Sequence, residues 1–245
     1  MESSRNAPPP ADLFAHVGAR LRPTLFPGAH LVLGLSGGMD SVALLHCLVR
    51  LAGSLRFSLR AVHVHHGLSP NATDWERFCR TLCADLGVPL AVERVDVSLY
   101  RHLGPEGAAR AARWRALRSH EADFLLLAQH RDDQAETLLL QLLRGAGPAG
   151  LAGMAAGAVR RRGREAMVLR PMLDLGRNAI EAFVRAHGWS WVDDESNGDI
   201  AYDRNYLRHR VLPAMVDRYP HAAVAIGRSA AILGEAAELI EVLGR

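Results

Sequence analysis

The sequence predicts an α/β fold: a doubly wound, mostly parallel sheet with helices on both faces, followed by a C-terminal helical extension. Two observations predict this class. Apolar runs of strand length alternate along the chain with segments in which apolar residues recur at helical spacing. The 245 residues, 49% hydrophobic and 22% charged, fit one large globular domain with a small extension. This composition excludes wholesale disorder, a collagen-like chain and a repeat array.

Strands and helices are predicted to alternate through the first half of the chain. Residues 31–35 form an unbroken apolar run, which is typical of a strand covered on both faces. Residues 41–50 carry apolar side chains at the spacing of one helix face. The same reasoning predicts further strands at 59–64, 90–95 and 124–128, and further helices at 72–86, 106–120 and 132–144. Ligands of such a sheet bind outside the carboxyl ends of its strands, so we expect the functional residues there.

The second half of the chain is predicted to be less regular. Residues 145–163 are rich in Gly, Ala and Pro and form a connection with a basic tip. An apolar stretch at 168–170, a helix near 178–187 and an acidic loop at 193–199 follow. The C-terminal segment is expected to be one amphipathic helix. We therefore divide the chain into an N-terminal extension with a first helix (1–28), a main domain (29–215) and a C-terminal helical extension (216–245).

Charge and cysteine usage exclude several kinds of chemistry. All 29 of the residues counted as Lys or Arg are arginine, and the net charge is only +3, so no Walker-A lysine, Schiff-base lysine or lysine general base is available. Cys47, Cys79 and Cys83 make no disulfide framework, and the last two lack the C-x-x-C spacing of a zinc knuckle, so we expect them in the core. No apolar run reaches the length of a membrane span, and the polar, proline-rich N-terminus lacks a signal-peptide core. We expect a cytoplasmic protein without a membrane partner.

Residues 36–41, SGGMDS, form the strongest motif because they lie between a buried strand and a helix. Gly37 and Gly38 allow positive φ and a close approach of the backbone to a ligand. Successive amides then form an anion-binding nest at the helix N-terminus, and the serine hydroxyls add donors. Asp40 would repel a bare phosphate, so it implies a metal or a cationic group nearby. The alternative is an ordinary glycine turn with a serine cap. The motif comprises Ser36, Gly37, Gly38, Met39, Asp40 and Ser41.

This motif resembles the PP-loop of the ATP pyrophosphatases, which cleave ATP between the α and β phosphates. Such enzymes activate a carbonyl-type oxygen as its adenylate and then displace AMP with a nucleophile. Other stretches, in this order, resemble the tRNA(Ile)-lysidine synthetase family over residues 29–220. They are 63–68 (HVHHGL), 104–106 with 109–113, 128–137 (AQHRDDQAET), 143–147, 150–154, 170–171, 193–197, and 204–205 with Arg208 and Pro213.

The resemblance implies a two-step reaction with ATP and Mg²⁺ as cofactors. The substrates would be a tRNA(Ile) with a CAU anticodon and free L-lysine. Oxygen 2 of the first anticodon cytidine attacks the α-phosphate of ATP, and the lysine side-chain amine then displaces AMP from carbon 2. Residues 29–215 would be the ATP-binding catalytic domain. The oligomeric state stays open.

The resemblance also implies a set of site residues. Catalytic roles fall to Asp40, Arg113, His130 and Asp133; Mg²⁺ ligands would be Asp40, Asp132 and Asp133; and His63 would join the six motif residues in binding the nucleotide. From the residues alone, the acidic pair after His130 could instead be a charged helix N-terminus. Arg113 could belong to an intrahelical ion-pair ladder with Glu106 and Arg110. His130 and His63 could each be a packed structural histidine.

Basic residues in two segments are predicted to bind the tRNA backbone, with solvated surface arginine as the alternative. They are Arg160, Arg161, Arg162, Arg204 and Arg208. Two rival functions remain open at this point. One is tRNA thiolation, which would need paired cysteines at a spacing that Cys79 and Cys83 do not have. The other is an ATP- and RNA-binding module without catalysis.

Overall fold

The computed structural model describes residues 12–154 and 165–243 and contains a five-stranded, wholly parallel sheet. The strands run in the order β3-β2-β1-β4-β5. Their bounds are His30–Gly34 (β1), Ser58–His65 (β2), Leu90–Arg94 (β3), Phe124–Leu126 (β4) and Met167–Leu169 (β5). The predicted doubly wound α/β class is confirmed.

Helices cover both faces of this sheet, and they lie close to the predicted positions. The first five are Leu13–Leu21 (α1), Met39–Leu55 (α2), Ala72–Asp85 (α3), Gly104–Arg118 (α4) and Arg131–Leu143 (α5). The others are Pro148–Leu151 (α6), Arg177–Ala186 (α7), Asp203–Tyr206 (α8), Leu212–Arg218 (α9) and Ala222–Leu243 (α10). Single 3₁₀ turns occupy Val97–Leu103 and Glu195–Gly198, and a π turn occupies Leu207–Val211.

The central strand β1 shows why the apolar run from residue 31 is unbroken. Leu31 and Leu33 pack into the large core beneath α2, whereas Val32 points to a smaller core on the opposite face with Val62 and Leu125. Successive strand residues face opposite sides, so a strand buried on both sides needs an apolar residue at every position.

The N-terminal helix α1 belongs to the same core as the sheet, although the sequence analysis placed it in an extension. Its Leu13, Val17 and Leu21 are fully buried. Asp174, which follows β5, accepts hydrogen bonds from His16 and Arg20 of α1. Although partial burial alone would raise the pKa of this carboxyl, the two bonds hold it well below its usual range. They therefore fasten α1 to the segment after β5.

The C-terminal segment differs from the single helix that the sequence predicts. Tyr219 leaves the helical region (φ −128°, ψ 86°) and Pro220 follows it, so α9 ends at Arg218 and α10 starts afresh at Ala222. Helix α10 packs against α5 and α6. Among the described residues, no helix combines the length and the apolar character that crossing a membrane requires.

The strand order positions the site. Strands β2 and β3 lie on one side of β1 in the sheet, and strands β4 and β5 lie on its other side. The loops that follow β1 and β4 therefore diverge to opposite faces and leave a crevice at their carboxyl ends. Residues 35–38 and 127–130 form the two walls of this crevice.

Candidate active site

The loop after β1 depends on glycine at one position for two separate reasons. Gly37 has φ +89°, and a Cβ there would lie 2.9 Å from Val192 Cγ2 and 3.1 Å from Cys79 Sγ. Gly38, in contrast, has φ −70° and serves as the N-cap of α2. Of the two glycines that allow positive φ, only Gly37 adopts it, and the φ of Gly38 is one that other L-residues adopt without backbone strain.

The two serines of the loop form a closed network with its amides. The Ser41 hydroxyl donates to the carbonyl of Gly38 (2.9 Å) and accepts from the Gly37 amide (3.2 Å). Ser36 Oγ accepts from the Gly38 amide (3.2 Å) and lies 3.0 Å from Ser41 Oγ. The amides of Gly37 and Gly38 are thus both engaged by serine hydroxyls, and the loop leads directly into the N-terminus of α2. A glycine loop at a helix N-terminus is suited to an anion, which would replace the hydroxyls as acceptor.

Asp40 lies in the first turn of α2 and faces the crevice. Its Oδ1 is buried and has no hydrogen-bond partner among the described residues. Burial raises the pKa of this carboxyl, and the nearby His130 only partly opposes the rise. A buried carboxylate oxygen without a donor is costly. It indicates that a cation or a donor group belongs beside Asp40 when the site is occupied.

His130 is the N-cap of α5 and lies among three carboxylates. Its backbone amide donates to Asp133 Oδ2 (3.0 Å) while its Nδ1 accepts from the Asp133 amide (3.4 Å), which completes a capping box. The ring proton then lies on Nε2, which is 3.6 Å from Asp40 Oδ2 and 3.5 Å from Asp133 Oδ2. Asp132 Oδ2 lies 3.6 Å from Nδ1. His130 therefore links the loops after β1 and β4, and its side chain is only 2% exposed.

The predicted metal ligands differ in how many of their oxygens remain available. Asp132 Oδ2 accepts the Arg177 amide at the start of α7 (2.8 Å), and Asp133 is bonded to His130 and to Arg208. Only Asp40 keeps an unpartnered buried oxygen. Within residues 12–154 and 165–243, no three His, Cys, Asp or Glu side chains are already grouped to hold a metal ion. A cation that takes most of its ligands from water and phosphate, as Mg²⁺ does, fits this arrangement.

A buried carboxylate, Glu136, organises the far side of the site. Its side chain is 0% exposed, and its oxygens bind Arg208 Nε (2.6 Å) and Arg208 Nη2 (3.0 Å), with Arg204 Nε at 3.3 Å. Arg208 also reaches Asp133 Oδ1 (3.2 Å), and Arg204 donates to Thr137 Oγ1 (2.7 Å). Burial raises the pKa of Glu136, whereas Arg208 opposes this rise.

This cluster was only partly visible in the sequence. The sequence places Glu136 one helical turn after Asp132, where a carboxylate could bind Mg²⁺ or an amine, but Glu136 is not among the predicted site residues. Arg204 and Arg208 are predicted as tRNA-binding residues. The structure places both in ion pairs with α5, with side chains 22% and 27% exposed, so their binding of tRNA stays a prediction.

Arg113 lies on the β2 side of the crevice. Its Nε donates to His66 Nε2 at 3.4 Å. Burial, together with the Arg113 charge, lowers the pKa of His66 to about 4, so the ring is neutral and accepts this bond. The surrounding protein atoms and the nearby Arg110 lower the pKa of Arg113, although its side chain remains open to solvent. Glu106 forms no ion pair with Arg110 among the described residues, so the ladder alternative is not realised.

His63 lies behind the loop and is only 4% exposed. Its Nδ1 is 2.9 Å from the carbonyl oxygen of Leu35 and 3.5 Å from Cys79 Sγ. Burial lowers the pKa of this imidazole. In the structure His63 therefore contacts the backbone of Leu35, the residue before Ser36. Its contact with a nucleotide stays a prediction.

All three cysteines are buried. Burial raises the pKa of Cys47 and Cys79 to about 12 and that of Cys83 to about 11. These thiols are therefore core side chains, as expected, and none is presented in the crevice as a nucleophile or cluster ligand.

A segment between β5 and α8 crosses over the loop. The Val192 amide donates to the carbonyl of Gly37 (3.0 Å). Glu195 accepts a hydrogen bond from Ser69 after β2. From the other side, Asn205 Nδ2 donates to the carbonyls of Ser196 (2.7 Å) and Asp199 (2.9 Å). These bonds make the acidic loop one wall of the site.

Arg160, Arg161 and Arg162 lie outside the described residues. The end of the preceding segment is nevertheless well anchored, because the Gln134 side chain bonds both backbone groups of Met154. Its Oε1 accepts the Met154 amide (2.7 Å) and its Nε2 donates to the Met154 carbonyl (3.0 Å).

The chain is similar to known proteins over most of its length. Residues 14–215 match the PP-loop domain family. The chain is 44% identical over 232 residues to a tRNA(Ile)-lysidine synthase of Nitrosomonas europaea, covering 95% of this chain and 50% of that one. It is 48% identical over 221 residues to the enzyme of the same name from Azoarcus sp. (strain BH72), covering 89% and 49%. It therefore spans about half the length of the curated relatives it matches.

A solved structure shares the fold. The U34-tRNA thiolase NcsA from Methanococcus maripaludis, determined with its [4Fe-4S] cluster, superposes with a TM-score of 0.74 over 91% of this chain and 78% of that one. At 16% sequence identity, the likeness concerns the fold alone.

Proposed function

This chain belongs to the PP-loop domain family, and on that premise we propose that it ligates free lysine to carbon 2 of the first anticodon cytidine of tRNA(Ile). The observation that carries the proposal is the meeting of Asp40, His130 and Asp133 beside an anion-binding loop at the crevice between β1 and β4. The choice of reaction is supported by the name of the relatives, tRNA(Ile)-lysidine synthase.

The first step is adenylation of the cytidine by ATP. Oxygen 2 of the base attacks the α-phosphorus, and the bond to pyrophosphate breaks. The amides of Gly37 and Gly38 and the N-terminus of α2 stabilise the negative charge that grows on the phosphate oxygens. Mg²⁺ bound at Asp40 would supply further positive charge to the phosphates. Arg113, which is exposed and donates a hydrogen bond to the neutral His66, would be the cation that binds an outer phosphate.

The second step forms the carbon–nitrogen bond. The lysine ε-amine attacks carbon 2, the bond from carbon 2 to oxygen 2 breaks, and AMP leaves with that oxygen. The attacking amine must lose its protons near neutral pH, so a carboxylate base is needed. Asp40 and Asp133 each have a carboxylate oxygen near His130 Nε2, at 3.6 Å and 3.5 Å, and can take this role. Since the chain has no lysine, the amine must come from the free amino acid.

Thiolation is not supported by the site. All three cysteines are buried, so none is presented to a substrate in the crevice. The likeness to a thiolase concerns the fold alone.

The test is mass spectrometry of tRNA(Ile) with a CAU anticodon after incubation with the 245-residue chain, ATP, Mg²⁺ and lysine. We expect one nucleoside in the anticodon to gain the mass of lysine less one water. Omission of lysine should leave adenylated tRNA and released pyrophosphate. Pyrophosphate release without any lysine-modified nucleoside, at saturating lysine, would contradict the ligase assignment.

A further inference from the structure

A cleft of about 380 Å³ opens between α4, the C-terminal half of α5 and the turn before α8. It shares no residue with the loop after β1, nor with Asp40 or His130. Its charged lining consists of three arginines and two carboxylates: Arg110, Arg144, Arg204, Glu106 and Asp203. Because the guanidinium groups outnumber the carboxylates, the concave surface keeps a net positive charge and is suited to an anionic ligand.

Arg110 is the guanidinium in this cleft that is left for a ligand. Arg204 is held by Glu136, and Arg144 Nη2 lies 3.7 Å from a carboxylate oxygen of Asp203. Arg110 has no hydrogen bond or ion pair with any residue of the described ranges, and its side chain is exposed. Partial burial lowers the pKa of Arg110, the nearby positive charge of Arg204 lowers it further, and Glu106 opposes both effects. Two crowded cations of this kind are stabilised when a phosphate binds between them.

The cleft also offers one exposed aromatic and one exposed aliphatic side chain. The Tyr202 side chain is 38% exposed on one wall, and Leu103 is 50% exposed at the start of α4 on the other. An exposed aromatic ring beside a guanidinium is the arrangement on which proteins stack an unpaired base while neutralising its phosphate. The lining therefore matches one nucleotide of single-stranded RNA better than a bare anion.

Two connections place this cleft next to the reaction centre. Arg204 lines the cleft and contacts Glu136, whose other partner Arg208 bonds to Asp133. Arg110 lies three residues before Arg113 on α4, so both side chains emerge from the same face. A nucleotide bound in the cleft would thus be a neighbour of the reacting cytidine and not the cytidine itself.

We propose that this cleft binds a nucleotide that flanks the target cytidine, with its phosphate on Arg110 and its base stacked on Tyr202. This assignment rests on the proposed function, since it takes the RNA substrate from there. It makes Arg110 and Tyr202 determinants of RNA affinity rather than of chemistry.

Binding of an anticodon stem-loop RNA to the intact chain, measured by fluorescence anisotropy over a range of salt concentrations, tests the proposal. Tyr202→Ala should weaken binding by about 5- to 150-fold, the effect of losing one base–aromatic stack. Tyr202→Phe should bind as the unaltered chain does. Arg110→Gln should weaken binding and reduce the slope of log affinity against log salt by about 0.7. Arg115→Gln is the matched control, because Arg115 is exposed on the same helix but outside the cleft.

The kinetic readout separates this subsite from the reaction centre. Arg110→Gln and Tyr202→Ala should raise KM for the RNA and leave KM for ATP unchanged. Unchanged RNA affinity in both variants would overturn the proposal while lysidine formation by the unaltered chain still stood. Conversely, binding that depends on Tyr202 and Arg110 in a chain that forms no lysidine would support the cleft and contradict the proposed reaction. Failure of the intact chain to bind the RNA would overturn the proposal outright.

Discussion

Replacing Gly37 by alanine is expected to destabilise the protein far more than the same change at the neighbouring Gly38. Two costs add at Gly37. A left-handed conformation costs an L-residue about 1–2 kcal/mol. Crowding of the new Cβ, 2.9 Å from Val192 Cγ2 and 3.1 Å from Cys79 Sγ, adds about 1–3 kcal/mol. The sum is about 2–5 kcal/mol, which for a chain of this size lowers the melting temperature by about 4–20 °C.

The measurement is urea unfolding and a thermal melt of both variants beside the unaltered chain. Gly38→Ala is the matched control, because its φ of −70° suits alanine and a Cβ there would lie 3.4 Å from Ser36 Oγ. Its expected cost is under about 1 kcal/mol, the loss from placing alanine at an N-cap.

A double-mutant cycle separates the two costs at Gly37. Combining Gly37→Ala with Val192→Ala removes the closer steric contact and leaves the backbone cost and the contact with Cys79, so the double variant should be more stable than the two single losses predict. Equal destabilisation by Gly37→Ala and Gly38→Ala, or strict additivity in the cycle, would refute the reasoning.

Four further variants test the site and its supports. Asp40→Asn should abolish pyrophosphate release and leave the unfolding midpoint equal or higher, because it removes a buried charge that lacks a donor; release at the unaltered rate would contradict its role. Glu136→Ala removes the buried carboxylate that pairs with Arg204 and Arg208, leaving Arg208 with Asp133 alone, and should cost about 3–5 kcal/mol in urea unfolding, whereas a loss below about 1 kcal/mol would mean that these ion pairs contribute little. Arg113→Ala should lose most of the activity with little change in melting temperature, and Arg110→Ala should lose less; equal and mild losses would argue against a direct role for Arg113. Asp174→Asn should lower the melting temperature at neutral pH, and the difference should vanish on acidification. The pKa of Asp174 is depressed in the folded state, so its stabilisation exists above the unfolded pKa and is lost as the pH falls; a difference that persists in acid would contradict this.

The parts of the fold that follow local rules could be predicted from the sequence. The apolar run of β1 and the helical spacing after it are properties of neighbouring residues. They sufficed to place the motif from Ser36 to Ser41 between a strand and a helix. The end of α9 at Tyr219 was missed although Pro220 is visible in the sequence. The amphipathic pattern resumes after the break, so this pattern alone does not indicate that the helix is interrupted.

The parts of the site that depend on distant partners could not be predicted. Glu136 and Arg208 are 72 residues apart, and nothing in either segment indicates that they pair. The Gly37 restriction comes from Val192 and Cys79, which the fold brings to the loop from two separate segments. Such contacts depend on how the helices are placed on the sheet, and a single sequence does not contain that placement.

The closed hydrogen-bond network of Ser36 and Ser41 has a consequence for the free energy of phosphate binding in the proposed function. Since the amides of Gly37 and Gly38 already have hydroxyl acceptors, a phosphate that binds there exchanges acceptors rather than satisfying vacant donors. The net gain is then the difference between a charged and a neutral acceptor. If pyrophosphate leaves the loop, as the proposed reaction requires, the hydroxyls return to the amides and neither donor is left without an acceptor. The network therefore lowers the free energy gained on binding and the free energy needed for release by the same amount.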